Sequence, residues 1–545
     1  MKRSPFTNHK MKMMRIGLLA GVMAMSTSCQ DFLDVNENPN GPDVVTANLY
    51  LPPMLHWMVS APQWDGRFLG RYVQNWYVPG TSFSTWDRMG YDPGSDNGGQ
   101  LWRDVYWTFG QNLIDMNTKA EAEQRWDLLG VGMILKGWGW MNLAALHGPI
   151  IVQQAFDQTR FSFDYDSEEL ALQEAKRMLD SAIVLLQRTD GAVDATYLGR
   201  TDKIYSGDRE KWLKFAYGQR AILLNRYSNK STYDAAAVIA DVNNSFESNA
   251  DDALLAFPAT QNDDRNFYGP ARGNLPAYRQ TRFVVELMNG TQFGGVVDPR
   301  MSRMLAPSPD TGTVGQVAGY RGLDINEVNY GALTTDQRPM NFFGYTATPA
   351  LGSPSRYLFA DKSRFPALTY SQLQFVKAEA AFRAGDRATA LTAYTNGVSS
   401  HIDFVNARNT DDGQSPTPIS AAEKNAFLAN TNIVPTDPNQ LTMTHIMSQK
   451  YIAQWAWAFV EQWTDLRRFH YTDTYAGEAR QAFPGFAPPT NLYVNNNGKI
   501  VYRMRPRFNS EYVWNQAGLR AIPTGDPDGG LAEDYHTVEL WITQP

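Results

Sequence analysis

The sequence has few residues in the arrangements that catalysis or metal binding requires. Its seven histidines are scattered without an H-x-x-x-H pair, and its single cysteine has no second thiol with which to share a metal. It contains no G-x-S-x-G motif, phosphate loop or dinucleotide fingerprint. Acidic residues are plentiful, so a carboxylate pair for glycoside hydrolysis stays open as an alternative, although nothing selects one pair. We therefore predict a binding protein rather than an enzyme.

One short segment offers oxygen ligands. Asp92, Asp96 and Asn97 lie in YDPGSDNGG, but their spacing departs from the D-x-[DN]-x-[DN]-G loop that binds calcium. A turn held by Asx hydrogen bonds is the simpler interpretation of the same residues. We predict no cofactor, and a structural calcium ion has no support beyond these three side chains.

Aromatic residues are the better candidates for function, because they make up 12% of the chain and several fall in loops rich in Gly and Pro. Loops run over protein surfaces, so rings there either pack as satellites of the core or form a platform for a ligand. An aromatic floor with a few polar groups is suited to a sugar or a peptide. The candidate ligand-binding residues are Tyr77, Trp86, Tyr91, Asn97, Phe267, Tyr268, Phe342 and Phe343.

The single cysteine lies where a lipid anchor would be attached. Basic residues precede an apolar run at 16–25, which is too short to span a bilayer, and small residues then lead into Cys29. We predict a lipoprotein signal peptide at 1–28, followed by a lipidated Cys29 and a tether at 29–45. An ordinary signal peptide with an incidental thiol is the alternative.

The net charge argues against nucleic acid as a partner, and the hydropathy argues against a transmembrane segment. The formal net charge is −7, and the predicted signal peptide holds five Lys or Arg and no Asp or Glu, so the remaining chain is more acidic still. A protein with this negative net charge is not expected to attract nucleic acid, which is also negatively charged. No later apolar run approaches a transmembrane span, so membrane attachment is predicted through the lipid alone.

The periodicity of apolar residues predicts a mainly α-helical body with tetratricopeptide-like repeats at about 101–250 and 369–470. The pattern is sharpest at 371–398, where alanines allow two helices to approach closely. There Gly385 is expected to end the first helix and Asp386 to cap the second.

Other segments complete the predicted body at 46–545. Apolar residues at helical spacing predict one helix over 166–188, capped by Asp166 or Ser167, and another over 441–469. The long segment at about 255–368 is rich in Gly, Pro and aromatic residues, and it predicts an irregular, loop-rich lobe against the repeats.

Three stretches together resemble a known family. They are C-x-DFLDVNENPN after the apolar run, RPRFNSEYVWN near the end and the terminal ELWI. In this order they resemble SusD/RagB outer-membrane lipoproteins, especially the second SusD-like subfamily. The resemblance implies a cell-surface protein, lipid-anchored and facing outward, that binds glycans or oligosaccharides and delivers them to a SusC-type TonB-dependent transporter. A peptide-binding relative, a surface glycoside hydrolase and a repeat scaffold without a small ligand are the alternatives.

Overall fold

A computed structural model describes residues 45–80, 84–309, 319–327, 330–347, 349–350, 353–413, 417–523 and 532–545. Cys29, the predicted signal peptide and nearly all of the predicted tether lie outside the described residues. The described chain is mainly helical, as predicted, with two small antiparallel sheets.

Helices supply most of the secondary structure. The α-helices are α1 (Leu51–Tyr72), α2 (Gln100–Arg103), α3 (Gly110–Ala122), α4 (Trp126–His147), α5 (Glu168–Gln187), α6 (Ala195–Gly199), α7 (Arg209–Asn225), α8 (Ala235–Asn243), α9 (Arg282–Met288), α10 (Met301–Met304), α11 (Tyr370–Arg383), α12 (Arg387–Arg408), α13 (Ala421–Leu428), α14 (Met443–Gln454), α15 (Phe459–Arg468) and α16 (Gln516–Arg520). The strands are β1 (Trp76–Tyr77), β2 (Ala253–Leu255), β3 (Arg279–Gln280) and β4 (Phe365–Leu368), paired as β1 with β3 and β2 with β4.

The predicted helical repeat is present at α11 and α12. Gly385 adopts φ 82° in the turn between them, and the Asp386 side chain accepts a hydrogen bond from Thr389 N at 3.0 Å. Gly397 lets the helices approach, because a Cβ there would lie 2.9 Å from the Phe375 ring. The predicted turn and cap are therefore confirmed.

The N-terminal repeats use the same close packing. Helix α4 packs on α5, and a Cβ added at Gly137 would lie 3.0 Å from Ala175 O. Helix α5 begins after Ser167, whose side chain accepts from Leu170 N at 3.2 Å. Helix α7 continues the array against α5, and α8 joins it to α11. The predicted helix over 166–188 is thus confirmed within one or two residues.

The predicted single helix over 441–469 is wrong, because the chain forms two helices there. Helix α14 ends at Gln454, α15 begins at Phe459, and Ala456 between them has φ 72°. Asn75 stabilises the break, since its Oδ1 accepts from Ala456 N at 3.1 Å and its Nδ2 donates to Gln462 Oε1 at 2.7 Å. The helical spacing of apolar residues survives because both helices bury them.

A buried set of charges joins the two halves of the C-terminal repeat region. Arg468 pairs with Glu379 of α11 at 2.7 Å, and Lys450 of α14 pairs with Asp465 of α15 at 2.8 Å. Burial opposes the ionised form of Glu379, yet Arg468 and the other nearby cations hold its pKa well below its usual value. Buried charges of this kind are tolerated because each has an opposite partner.

Candidate functional site

Most of the predicted ligand-binding rings lie inside the protein. Their loops cross the surface, but each of these side chains is at most 3% exposed: Tyr77, Trp86, Phe267, Tyr268, Phe342 and Phe343. A ligand in solution has no ring face to stack on at these positions. These six side chains therefore pack in the interior instead of forming a platform for a ligand. Burying a large aromatic side chain stabilises the fold more than leaving it in solvent does.

Tyr268 and Phe342 belong to one group of rings, which we call the interior ring cluster: Trp76, Tyr268, Phe342, Phe359, Trp455 and Phe459. The Phe342 and Phe359 rings stack with centroids 4.8 Å apart, and Trp76 meets Phe342 at 5.5 Å. Trp455 contacts Phe342 at 5.7 Å. The cluster therefore fastens the irregular lobe to the helices.

The other buried candidates have separate neighbours. Tyr77, on β1, packs with Leu323 and Ile325. Phe267 stacks on Trp64 at 4.7 Å, and Phe343 joins the main core with its N–H donated to an asparagine side chain. The structure thus distributes these rings among several packing sites rather than one ligand platform.

Trp86, Tyr91 and Asn97 are brought together by the fold. Trp86 Nε1 and Asn97 Nδ2 donate to the same oxygen, Asp92 Oδ2, at 2.8 and 2.9 Å. All four residues line a cleft of about 30 Å³ whose other wall includes Arg507 from the C-terminal segment. Tyr91 is half-buried and Asn97 is exposed, so these two predicted residues are accessible to a ligand.

Three aromatic residues outside this cleft are exposed, and the sequence did not single them out. Trp107 is 66% exposed, Phe161 94% and Trp514 76%. We call them the aromatic surface. Trp107 was missed because it lies in a helical segment and not in a loop. It does not share the helix face that Trp102 and Tyr106 occupy. An apolar ring outside a helix's buried stripe is the signal that would have found it.

The segment of Trp107 is held by unusual backbone geometry. Residues Asp104–Phe109 form a π-helical turn, which ends at Gly110 with φ 34° and ψ −127°. Tyr106 Oη donates to Ile151 O at 2.7 Å and accepts from Ile151 N at 3.0 Å, so the turn is fixed to the loop after α4. Such π-helical turns are common at functional sites.

The loop that carries Phe161 is fastened to the C-terminal segment that carries Trp514. Asn515 Oδ1 accepts from Phe163 N at 2.9 Å, and Asn515 Nδ2 donates to Phe163 O at 3.0 Å. A second π-helical turn, Phe508–Tyr512, precedes Trp514. The three exposed rings therefore come from adjoining segments that hydrogen bonds hold in place.

Polar groups surround the aromatic surface. The Arg103 guanidinium lies 4.4 Å from the Trp107 ring centroid. Asn509, which is exposed, donates its backbone N–H to Asp96 Oδ1 at 2.9 Å and its Nδ2 to Oδ2 at 2.6 Å. Asp96 also pairs with Arg507. These contacts join the cleft of Tyr91 and Asn97 to the π-helical turn that precedes Trp514.

Two carboxyl groups beneath this region have raised pKa values. Burial raises the pKa of Asp65 to about 7, although it accepts the N–H groups of Gln100 and Leu101. Burial likewise raises the pKa of Asp104 to about 6, against hydrogen bonds from Thr108 and Gln100. Both carboxyls are 1% exposed and accept hydrogen bonds from protein groups, so neither presents an oxygen to a surface ligand.

The two carboxylates that were weighed as calcium ligands already have protein partners. Asp92 accepts from Trp86 and Asn97, and Asp96 accepts from Arg507 and Asn509. Across the described residues, no group of three or more His, Cys, Asp or Glu side chains is placed to hold a metal ion. Asp92 is therefore bonded within its own loop, whereas Asp96 fastens this loop to the C-terminal segment.

Among the described residues, no helix is both long and apolar enough to cross a membrane.

Several solved structures resemble this chain. A SusD homolog from Bacteroides fragilis is 18% identical, with 92% of this chain and 100% of that chain covered and a TM-score of 0.69. A SusD/RagB family protein from Bacteroides thetaiotaomicron is 20% identical, with 92% and 99% covered and a TM-score of 0.62. A chitin-binding SusD homolog from Flavobacterium johnsoniae is 20% identical, with 91% and 98% covered and a TM-score of 0.61.

At these identities the solved structures show a shared fold. A search of curated proteins found no match. The model of the second SusD-like family, described as starch-binding and associating with the outer membrane, matches residues 39–505. That match spans most of the sequence and agrees with the resemblance of its terminal motifs. The chain therefore belongs to the SusD/RagB family, in its second SusD-like branch.

Proposed function

We propose that this protein captures glycans at the outer face of the outer membrane and delivers them to a SusC-type TonB-dependent transporter. The family is described as starch-binding, and one structural relative is described as chitin-binding. These descriptions support an oligosaccharide as the ligand class. Membrane attachment is proposed through lipid on Cys29, without nucleic acid as a partner.

The aromatic surface is the observation that carries this proposal for the chain itself. Exposing Trp107, Phe161 and Trp514 forgoes the stability that burying them would give, and large exposed rings on adjoining segments mark a binding surface. Sugar rings stack their C–H faces on such side chains, while neighbouring polar groups meet the hydroxyls. Asn97 and Asn509 are exposed amides, and we propose them for that role.

Capture without catalysis fits the acids of this region. Glycoside hydrolysis needs two carboxyls that flank the bond to be cut. Asp65 and Asp104 are both buried and committed to backbone or side-chain hydrogen bonds. The proposed role is therefore binding, and release of reducing ends from any bound oligosaccharide would favour the hydrolase alternative instead.

The direct test is isothermal titration of the full chain with maltooligosaccharides and with chitooligosaccharides. Each stacked ring contributes roughly 1 kcal/mol, so the double variant Trp107→Ala with Trp514→Ala should weaken binding about tenfold or more. Val184→Ala is the matched control, because it trims another exposed apolar residue, 63% exposed on α5. Unchanged affinity in the double variant would reject the aromatic surface as the site.

The transporter role needs its own experiment. Affinity purification of the full chain from outer membranes in mild detergent should recover a large TonB-dependent barrel. A Cys29→Ala variant should lose membrane attachment, because it removes the proposed lipidated residue. An eluate without such a barrel would contradict the delivery role while leaving glycan capture to be judged by titration.

A further inference from the structure

An apolar cavity lies beneath the π-helical turn that carries Trp107. Its volume is about 160 Å³, and α3, α4 and the loop after α4 enclose it. Its apolar walls are Val105, Phe109, Leu113, Leu129, Trp140 and Phe156. An apolar cavity of about this size stays dry and accepts benzene in another protein, so the volume suits one aromatic ring.

Strained backbone shapes this cavity. Gly110, with φ 34°, ends the π-helical turn at the cavity wall, and Phe156 has φ 68°, a region that bulky residues rarely adopt. The Phe156 ring stacks with Trp140 at 6.2 Å and an interplanar angle of 27°. Phe156 and Trp140 thus form one continuous aromatic wall of the cavity, and the backbone conformation that places Phe156 there costs energy.

The mouth of the cavity carries one half-buried cation. Lys136 lines it, and burial lowers the pKa of its ammonium group. Its neighbours Glu174 and Arg177 already pair with each other at 2.8 Å, and no acidic side chain of the described chain lies within ion-pair distance of Lys136. Glu121, on the other lip, is exposed to solvent, which screens its charge.

A buried acceptor also lacks a partner here. Asn117 lines the cavity, and its Oδ1 is buried without a hydrogen-bond donor in the described structure. Gly132 makes room for it, because a Cβ at that position would clash with Oδ1. Oδ1 thus packs against the α4 backbone at Gly132 and not into the cavity, so Asn117 offers no acceptor to a ligand there.

We propose that this cavity binds a small aryl carboxylate. The aromatic ring packs against the apolar wall that includes Phe109, Trp140 and Phe156, and the carboxylate pairs with Lys136. This ligand class meets both the apolar walls and the half-buried cation. The site is separate from the aromatic surface, so glycan binding and aryl-acid binding can be measured independently.

The probe is 4-hydroxybenzoate, titrated into the full chain at low ionic strength by calorimetry, with tryptophan fluorescence as a second readout. Saturable binding with a dissociation constant below about 1 mM is expected. Lys136→Gln should weaken that binding about tenfold, the effect of losing one partly desolvated charge pair.

Two controls keep the test decisive. Lys176→Gln removes a more exposed lysine of α5 that already pairs with Asp180, and it should leave binding unchanged. Benzylamine, which reverses the charge of the ligand, should bind at least tenfold more weakly than benzoate. Absence of saturable binding by 4-hydroxybenzoate, or equal affinity in the wild type and Lys136→Gln, would overturn the proposal.

Discussion

The interior ring cluster and the aromatic surface are built from the same residue types but differ in exposure. Phe342 and Trp455 in the cluster are fully buried, whereas Trp107 and Trp514 are more than half exposed. Buried rings gain both transfer free energy and edge or stacking contacts. The high aromatic content therefore has two separate roles, one in stability and one available for recognition, and substitutions should separate them.

The largest effect is expected from Phe342→Ala. Removing this ring opens a cavity among Trp76, Phe359 and Trp455, which should cost about 3–5 kcal/mol of unfolding free energy. Urea unfolding followed by circular dichroism measures it. Phe161→Ala is the matched control at an exposed position, where a change within about 0.5 kcal/mol is expected. A loss below 1 kcal/mol for Phe342→Ala would show that the interior ring cluster does not hold the lobe to the helices.

A smaller, pH-dependent effect is expected beneath the aromatic surface, at Asp65. Its pKa is raised from 3.8 to about 7, so between these values the folded state binds more protons than the unfolded state. The contribution of this carboxyl to stability therefore falls as pH rises from about 4 to about 7. Asp65→Asn, a neutral isostere, should gain stability relative to the wild type across that window.

The measurement is unfolding free energy at several pH values, plotted as the difference between Asp65→Asn and the wild type. Asp104→Asn should also gain stability relative to the wild type as pH rises. That gain should be complete near pH 6, because the pKa of Asp104 is raised to about 6. A pH-independent difference for Asp65→Asn would mean that the folded protein does not raise the pKa of this carboxyl.

The smallest effect on stability is expected at Trp514. Because 76% of this side chain is exposed, Trp514→Ala should change the unfolding free energy by no more than about 0.5 kcal/mol. Thermal unfolding with and without glycan would measure this change together with any loss of ligand stabilisation. A large loss of intrinsic stability would place Trp514 with the interior rings and weaken the contrast between the two regions.

Local signals in the sequence were sufficient for single helices and their ends. Gly385 and Asp386 form the predicted turn and cap, and Ser167 caps α5, because these contacts involve residues only a few positions apart. The break at Ala456 was not predictable in this way. Its stabilising partner, Asn75, is about 380 residues distant in the chain, and the helical spacing of apolar residues continues across the break.

Exposure of the aromatic residues was decided only by tertiary structure. Composition showed that rings were abundant, and loop position predicted that a ligand would find them there. Tyr268 and Phe342 nevertheless point inward, because distant helices cover them. Trp107 remained outward because the π-helical turn is fixed through Tyr106 to a loop some 45 residues later. The sequence alone thus determined the helical repeats, the family and the absence of a recognisable catalytic motif. Which rings meet solvent depends on contacts between distant segments, and local periodicity carries no information about those contacts.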